Sequence, residues 1–377
     1  MIYYNFYTYL KKNKNKKKNL AFLLPNFSQG GAGYSILKLC KSINYNKFNI
    51  FIISIGKNYY KKDFKKMGIN VIELHEKKLL LSINEIKSIL NIIINNNNKK
   101  TFLISNINYA NVISCIFCKK INLLKIILIE RTPVQELDYY FSIKDFFKKK
   151  VIKFLIKKFY KYASMRIGNS NIVSKDLKKL CNCEIKTILP YIKISNKNYK
   201  KFKKKKITLT WIGRMSPEKN LNDLIYSLQF LKEINFEINI ITDKILNMES
   251  YGLPSSVFKK INFFKFNSKN INKIYIKTDI FISTSFYEGF PNVVAEAINY
   301  NCLIISSKSF GGIRQLIENQ KYGIYYQIND PNDLADKIKF SVKNLNMIIK
   351  KTINSKKNLI SLSKKYNNGY KELFNLL

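Results

Sequence analysis

Histidine occurs once in this chain of 377 residues, at position 75, tryptophan once, at 211, and only four of the 67 basic residues are arginine. A single histidine leaves no second imidazole for a His-built metal cluster, and His75, in Glu73-Leu74-His75-Glu76, reads as a surface residue beside two carboxylates. Cysteine is sparse too, at 40, 115, 118, 181, 183 and 302. Cys115-Ile116-Phe117-Cys118 has a redox-like or metal-like spacing, but no second pair matches it, so buried free thiols in an intracellular compartment are expected and no metal site is assigned. Long apolar runs are also missing. The longest stretch without charge, Thr101 to Cys118, contains Asn106, Asn108 and Asn111 and divides into a strand, a loop and a helix rather than a membrane span. Met1 to Leu10 is rich in tyrosine but lacks the order of charge, apolar core and small-residue cleavage site that marks a signal peptide. It is a candidate peripheral anchor or a frayed tail.

What the chain has in excess is lysine. With 24 acidic residues the formal net charge is +43. Clustered lysine neutralises phosphate backbones, yet the runs here are dispersed, arginine is scarce and no recognition motif accompanies the charge, so nucleic acid is not expected as a partner. Asn, Ile and Lys abound throughout, as AT-rich codons dictate, and part of the charge follows from that composition. An anionic membrane surface suits the rest. Asp145 to Tyr160 mixes aromatics with lysines at helical spacing, which describes either an in-plane interfacial helix or a core-packing helix with a lysine-rich outer face, because the two share one periodicity. The expectation is a cytoplasmic protein with peripheral contact at the inner face of the cell membrane.

A chain of this length implies two domains. Apolar runs at Leu20–Leu24, Phe51–Ile55, Asn70–Leu74, Thr101–Ile104 and Ile126–Ile129 alternate with helical stretches such as Ile83 to Ile94, the pattern of a parallel sheet with helices on both faces. The expected division is 1–200, 201–355 and a terminal helical segment 356–377, with Lys200 to Lys206 as the linker.

Two strand-to-helix turns carry the chemistry. After the apolar run Ile280 to Ile282 comes Ser283-Thr284-Ser285-Phe286-Tyr287-Glu288-Gly289-Phe290-Pro291-Asn292-Val293-Val294-Ala295-Glu296-Ala297, with two carboxylates eight residues apart across a helix start and Pro291 near the first helical position. Free amides and partial positive charge at a helix N-terminus suit phosphate, and Glu296 can reach a sugar hydroxyl beside it. Earlier, Gly213-Arg214-Met215-Ser216-Pro217-Glu218-Lys219-Asn220 follows the strand Ile207 to Ile212 and opens the helix Leu221 to Leu231. Arginine offers a planar fork of donors and lysine a point charge, which together can hold a diphosphate without a metal ion. Such a pair of turns fits a nucleotide sugar.

These stretches resemble the donor-binding half of retaining glycosyltransferases of family 4, which have the GT-B fold and the patterns G-R-x-x-x-x-K-N and E-G-F-x-x-x-x-x-E-A. The resemblance implies two Rossmann-like doubly wound domains, a diphosphate held by Arg214 and Lys219, a transferred sugar touched by Glu288, and ribose hydroxyls bound by Glu296, with Gly213, Gly289, Phe290, Pro291, Asn292 and Val293 completing the donor site. Arg214, Lys219 and Glu288 are the candidate catalytic groups. Gly311-Gly312-Ile313-Arg314-Gln315-Leu316-Ile317 is similar to the family's G-x-R-E-I segment, with Gln315 where Glu is usual. Asn301-Cys302 stands in place of Gly-Pro, and Ile241-Thr242-Asp243-Lys244 in place of a Gly-Asp-Gly turn.

In the first half, Pro25 to Gly33 is a glycine-containing loop before the helix Tyr34 to Ile43. The resemblance places Gly30 and Gly31 at the cleft between domains. Glu130 and Arg131, at a strand's carboxyl end, are candidates to line that cleft and meet the acceptor, or a salt-bridged loop, and Arg314 is assigned to the same cleft. The activity implied is transfer from a nucleoside diphosphate sugar, UDP-linked, to a glycan or lipid-linked acceptor, with retention and without cofactor or metal, in surface polysaccharide or lipopolysaccharide synthesis. The alternatives are a nucleotide-sugar epimerase of GT-B-like fold and a non-catalytic binding protein.

Overall fold

Strands rich in Ile, Leu and Phe, the central ones buried on both faces, are arranged as parallel sheets covered by helices. The structure, a computed structural model, describes residues 17–27, 30–76, 78–202, 205–244, 251–266, 270–366 and 368–377, with the side chain of Asn97 left aside. Met1 to Leu10, Ser28 and Gln29 of the glycine loop, and Lys203 and Lys204 lie outside the described residues. Two compact units form, Met1–Tyr191 with Asn368–Leu377, and Ile192–Asn367.

The first unit runs β1 (Lys18–Leu24), α1 (Gly31–Cys40), β2 (Phe48–Ile55), α2 (Lys61–Lys66), β3 (Asn70–Leu74), α3 (Ile83–Asn97), β4 (Thr101–Asn106), α4 (Asn108–Ile113), β5 (Leu124–Glu130), α5 (Ile143–Phe159), β6 (Met165–Gly168), α6 (Asn171–Cys181) and β7 (Lys186–Thr187). Its seven strands lie in the order β3-β2-β1-β4-β5-β6-β7, all parallel. One core layer packs Leu23, Ile53 and Leu103 against α3, and the other packs Phe22, Ile52 and Ile104 against α1. Ser142 and Ser170 cap α5 and α6, their hydroxyls accepting from the amides of Asp145 and Val173.

The second unit runs β8 (Ile207–Ile212), α7 (Leu221–Ser227), β9 (Phe236–Thr242), α8 (Ser255–Phe258), β10 (Ile261–Lys265), α9 (Ile271–Lys277), β11 (Ile280–Ser283), β12 (Tyr287–Glu288), α10 (Asn292–Asn299), β13 (Leu303–Ser307), β14 (Phe310–Gly311), α11 (Ile313–Ile317), β15 (Ile324–Tyr326), α12 (Pro331–Lys343) and α13 (Leu345–Tyr366). Six strands lie in the order β10-β9-β8-β11-β13-β15, and β12 pairs with β14 as a separate two-stranded sheet. Leu221, Leu224, Ile225, Leu228 and Leu231 are all buried, Leu228 in a 3₁₀ turn beyond the end of α7 and Leu231 just after it.

The unit boundary falls at Tyr191, ahead of the lysine run expected as a linker. Lys201 is buried, its Nζ donating to the carbonyls of Tyr275 at 2.8 Å and Ile276 at 2.9 Å, and the amide of Phe202 donates to Asp279 Oδ1 at 2.7 Å. Those bonds hold the segment against α9 and β11 as part of the second unit. At the far end, α13 stays with the second unit, and only the last helix, α14 (Gly369–Leu376), belongs to the first.

Candidate functional site

In the second unit the strand order reverses between β8 and β11, and ligands of open α/β sheets collect beyond the carboxyl ends of strands at such a point. The turn after β8 carries Gly213, Arg214 and Lys219, and the turn after β11 carries Ser285 and Glu288. Three hydrogen bonds tie the turns together. Trp211 Nε1 donates to Thr284 Oγ1 at 3.0 Å, that hydroxyl donates to the Lys219 carbonyl at 2.6 Å, and the amide of Phe286 donates to the Glu218 carbonyl at 2.9 Å. The result places Lys219 Nζ 2.6 Å from Glu288 Oε1, an oxygen that also accepts from Ser285 Oγ at 2.8 Å. Arg214 sits on the same turn but pairs with Glu218 Oε1 at 3.2 Å, and its side chain is 54% exposed. An exposed ion pair of this kind contributes little to stability.

Glycine is needed twice here. A Cβ on Gly213 would come 2.6 Å from Trp211 Cη2, so the turn folds directly over the indole. A Cβ on Gly312 would come 2.1 Å from the Gly289 carbonyl oxygen, while the Gly312 amide donates to the Glu288 carbonyl at 2.8 Å and Gly311 has a φ of 100°. Gly311, in β14, and Gly312 after it hold the backbone of Glu288 in β12.

Pro291 is the N-cap of α10, next to its first helical residue. Its carbonyl accepts from the amides of Val294 and Ala295, both at 3.1 Å, so the amides of Asn292 and Val293 precede the first intrahelical bond at the electropositive end of the helix. Gly289 and Phe290 are buried behind this end. Val294, Ala295, Ala297 and Ile298 face the core, and Glu296, half-buried, accepts from the hydroxyl of Tyr275 at 3.1 Å. Burial first, and the Glu296 carboxylate second, push the Tyr275 hydroxyl well above its ordinary pKa, so it remains a donor. Its ring stacks on Tyr300 with centroids 5.6 Å apart.

Asp243 compensates for the glycine turn missing at 241–244. Its Oδ1 accepts from the amide of Met215 at 2.9 Å and from Thr242 Oγ1 at 3.1 Å. Burial opposes its ionisation, but these hydrogen bonds and neighbouring Lys244 outweigh that and hold the carboxyl below the usual range. Arg314, on α11, is exposed, donates from Nε to the Ser309 carbonyl at 3.3 Å and lies over the Phe310 ring.

In the first unit the helix α1 begins at Gly31, three residues earlier than expected, with Gly30 extended at its N-cap. Tyr60 pins this loop, its hydroxyl lying 3.3 Å from the Gly30 amide and 3.2 Å from the Gly30 carbonyl. Glu130 is 3% exposed and directed inward. Its Oε2 accepts from Tyr160 at 2.8 Å and Asn111 at 3.4 Å, and its Oε1 from the Arg131 amide at 3.1 Å. Burial raises its carboxyl to a pKa of about 7 although the Tyr160 bond opposes the rise. The Arg131 side chain turns elsewhere, to Asn106 Oδ1 at 3.0 Å, so the salt-bridged loop considered from the sequence does not form. His75 pairs with Glu85 at 2.9 Å, and Glu73 is taken by Lys61. All six cysteines are free thiols, five of them buried. Sequence reasoning gave no role to Glu218, Asp243, Tyr275, Thr284 or Ser285, since each acts through a partner distant in the chain or through a loop conformation with no periodic signal.

Residues 193–359 match the family profile of glycosyl transferases group 1. The capsular polysaccharide biosynthesis glycosyltransferase CapH of Staphylococcus aureus is 30% identical over 219 residues, 55% of this chain and 57% of that protein. The N-acetylgalactosamine-N,N'-diacetylbacillosaminyl-diphospho-undecaprenol 4-alpha-N-acetylgalactosaminyltransferase of Campylobacter jejuni is 26% identical over 207 residues, 52% of this chain and 55% of that one. The chain thus aligns with about half the length of these curated relatives. The crystal structure of Anabaena HepE in complex with UDP-glucose superimposes with a TM-score of 0.72 at 16% identity, over 95% of this chain and 100% of that one. A likeness at that identity speaks for the fold. The two doubly wound units are those of the GT-B fold, and the stretch from 193 to 359, somewhat less than half of the chain, is similar to the group 1 glycosyl transferases.

Proposed function

We propose that this protein transfers a sugar from a nucleoside diphosphate sugar, UDP-linked, to a hydroxyl of a glycan or lipid-linked acceptor, retaining the anomeric configuration and requiring no metal, in the synthesis of a surface polysaccharide or lipopolysaccharide. The observation that carries this reading is the Lys219–Glu288 pair at the switch point, which joins the turn after β8 to the turn that leads into α10. Lys219 and Arg214 supply positive charge for the diphosphate, with the first amides of α10 adding partial charge of the same sign. Glu288 faces the transferred sugar, and Glu296, held by Tyr275, takes the ribose hydroxyls. In the reaction the bond from the anomeric carbon to the diphosphate oxygen breaks, a bond to the acceptor oxygen forms, and the acceptor proton passes to the departing diphosphate. Fixed cations and amides stabilise the charge that develops on that leaving group.

The names of similar proteins support the same reading. One contains capsular polysaccharide biosynthesis, one a diphospho-undecaprenol acceptor, and one solved structure holds UDP-glucose. A lipid-linked acceptor also gives a reason for a cytoplasmic enzyme to rest on the inner face of an anionic membrane.

The test is a panel of nucleotide sugars screened for protection against thermal unfolding, followed by assay of the best donor with lipid-linked acceptors. UDP-sugars are expected to raise the unfolding midpoint and acceptor to release UDP. Glu296→Ala should weaken protection, whereas Glu288→Ala should keep it and lower turnover by about 100-fold. Isomerised sugar from donor alone would identify an epimerase, binding without UDP release a non-catalytic binder, and full activity in both variants would refute the site.

A further inference from the structure

Helix α5 carries its amphipathicity inside out. Ile143, Phe147, Val151 and Phe154 recur at spacings of four, four and three residues, one helical face, and are 78%, 63%, 56% and 60% exposed. The inward face carries Ile156 and, unexpectedly, Lys149, which is buried with its Nζ donating to the Tyr139 carbonyl at 2.6 Å and pairing with Asp145 at 3.1 Å. Packing within the unit therefore accounts for the inner face and leaves the outer one unexplained. Lys144, Lys150, Lys157 and Lys158 border the apolar stripe, and among the described residues none of the four has a carboxylate within ion-pair range. Lys150 and Lys158 lie over the rings of Phe146 and Phe154.

We propose that this face of α5 is a docking surface for an anionic phospholipid bilayer. The stripe sinks into the boundary between headgroups and acyl chains, and the bordering lysines reach the lipid phosphates. From 143 to 154 it spans about 16 Å along the helix axis, suited to lying in the plane, and among the described residues no helix is long and apolar enough to cross a membrane. Charge decides between lipid and a second copy of the chain. A symmetric dimer through this face would set the four lysines against the same four, whereas anionic headgroups neutralise them. The inference assigns the surface for the membrane contact proposed above, and its readout is independent of sugar transfer.

The experiment is co-sedimentation of the full chain with phosphatidylglycerol vesicles and with neutral phosphatidylcholine vesicles, at low and high salt. The unaltered protein should pellet with the anionic vesicles and be partly released by salt. Phe147→Ser with Phe154→Ser should abolish pelleting, and Lys150→Gln with Lys157→Gln should weaken it about 25-fold, about fivefold for each lysine. Circular dichroism and nucleotide-sugar protection should be unchanged in both, since all four side chains are exposed. Failure of the unaltered protein to bind anionic vesicles, undiminished binding by both variants, or a change in self-association in the ultracentrifuge in place of vesicle binding would overturn the assignment. Nucleotide-sugar protection retained under any of those results would leave the transferase reading standing.

Discussion

Lys219 Nζ lies 2.6 Å from Glu288 Oε1, across 69 residues of chain, and the two meet only because β8 and β11 are neighbours in the second sheet. The lysine answers to two anions, the carboxylate it holds here and the diphosphate proposed for it. Both side chains are largely withdrawn from solvent, so removing one strands the other in a setting that hydrates it poorly. Lys219→Ala, Glu288→Ala and the double variant should form a non-additive cycle in urea-unfolding free energy, with a coupling of about 1–3 kcal/mol. Additive losses would show that the pair does not act as a unit.

Gly312→Ala tests the backbone that supports Glu288. The added methyl would meet a carbonyl oxygen at 2.1 Å, and backbone cannot swing aside as a long side chain does. The variant should lose about 1–3 kcal/mol of stability and most nucleotide-sugar protection, measured by urea titration and thermal shift. Wild-type values on both would refute the packing of β14 against the Glu288 turn.

Glu130 predicts a pH dependence. Its carboxyl, ordinarily at 4.5, titrates at about 7 in the folded chain because it is buried. Over that interval the folded state holds the proton that the unfolded state has released, so stability falls as pH rises from the ordinary carboxylate range to about 7 and is level above it. The loss is on the order of 3 kcal/mol. Glu130→Gln should flatten this part of the profile and be the more stable protein at pH 8, by urea titration across the range. A profile parallel to that of the unaltered protein would sink the assignment.

The strands were legible because a sheet buried on both faces demands unbroken apolar runs, and Ile207–Ile212 and Asn70–Leu74 stand where those runs end. The donor turns were legible through their charged residues and glycines. What the sequence hid was set by contacts across the fold. β12 and β14 are two residues each, too short for any period, and exist because Gly312 can approach Gly289. Glu130 follows an apolar strand and reads as a strand-end charge, yet Tyr160 and Asn111 draw it inward. The stripe on α5 had the right spacing for a core face, and only its exposure separates outside from inside.

Helix α14 closes the first unit. Tyr370, Leu373 and Phe374 join the same apolar layer as Phe48 and Ile188, and the Phe374 and Phe48 rings sit 6.3 Å apart. During synthesis, therefore, the strands of the first unit are made before the helix that packs on their apolar layer, with residues 192–367 translated in between. Loss of residues 368–377 would uncover part of the first unit's core while leaving residues 192–367 intact.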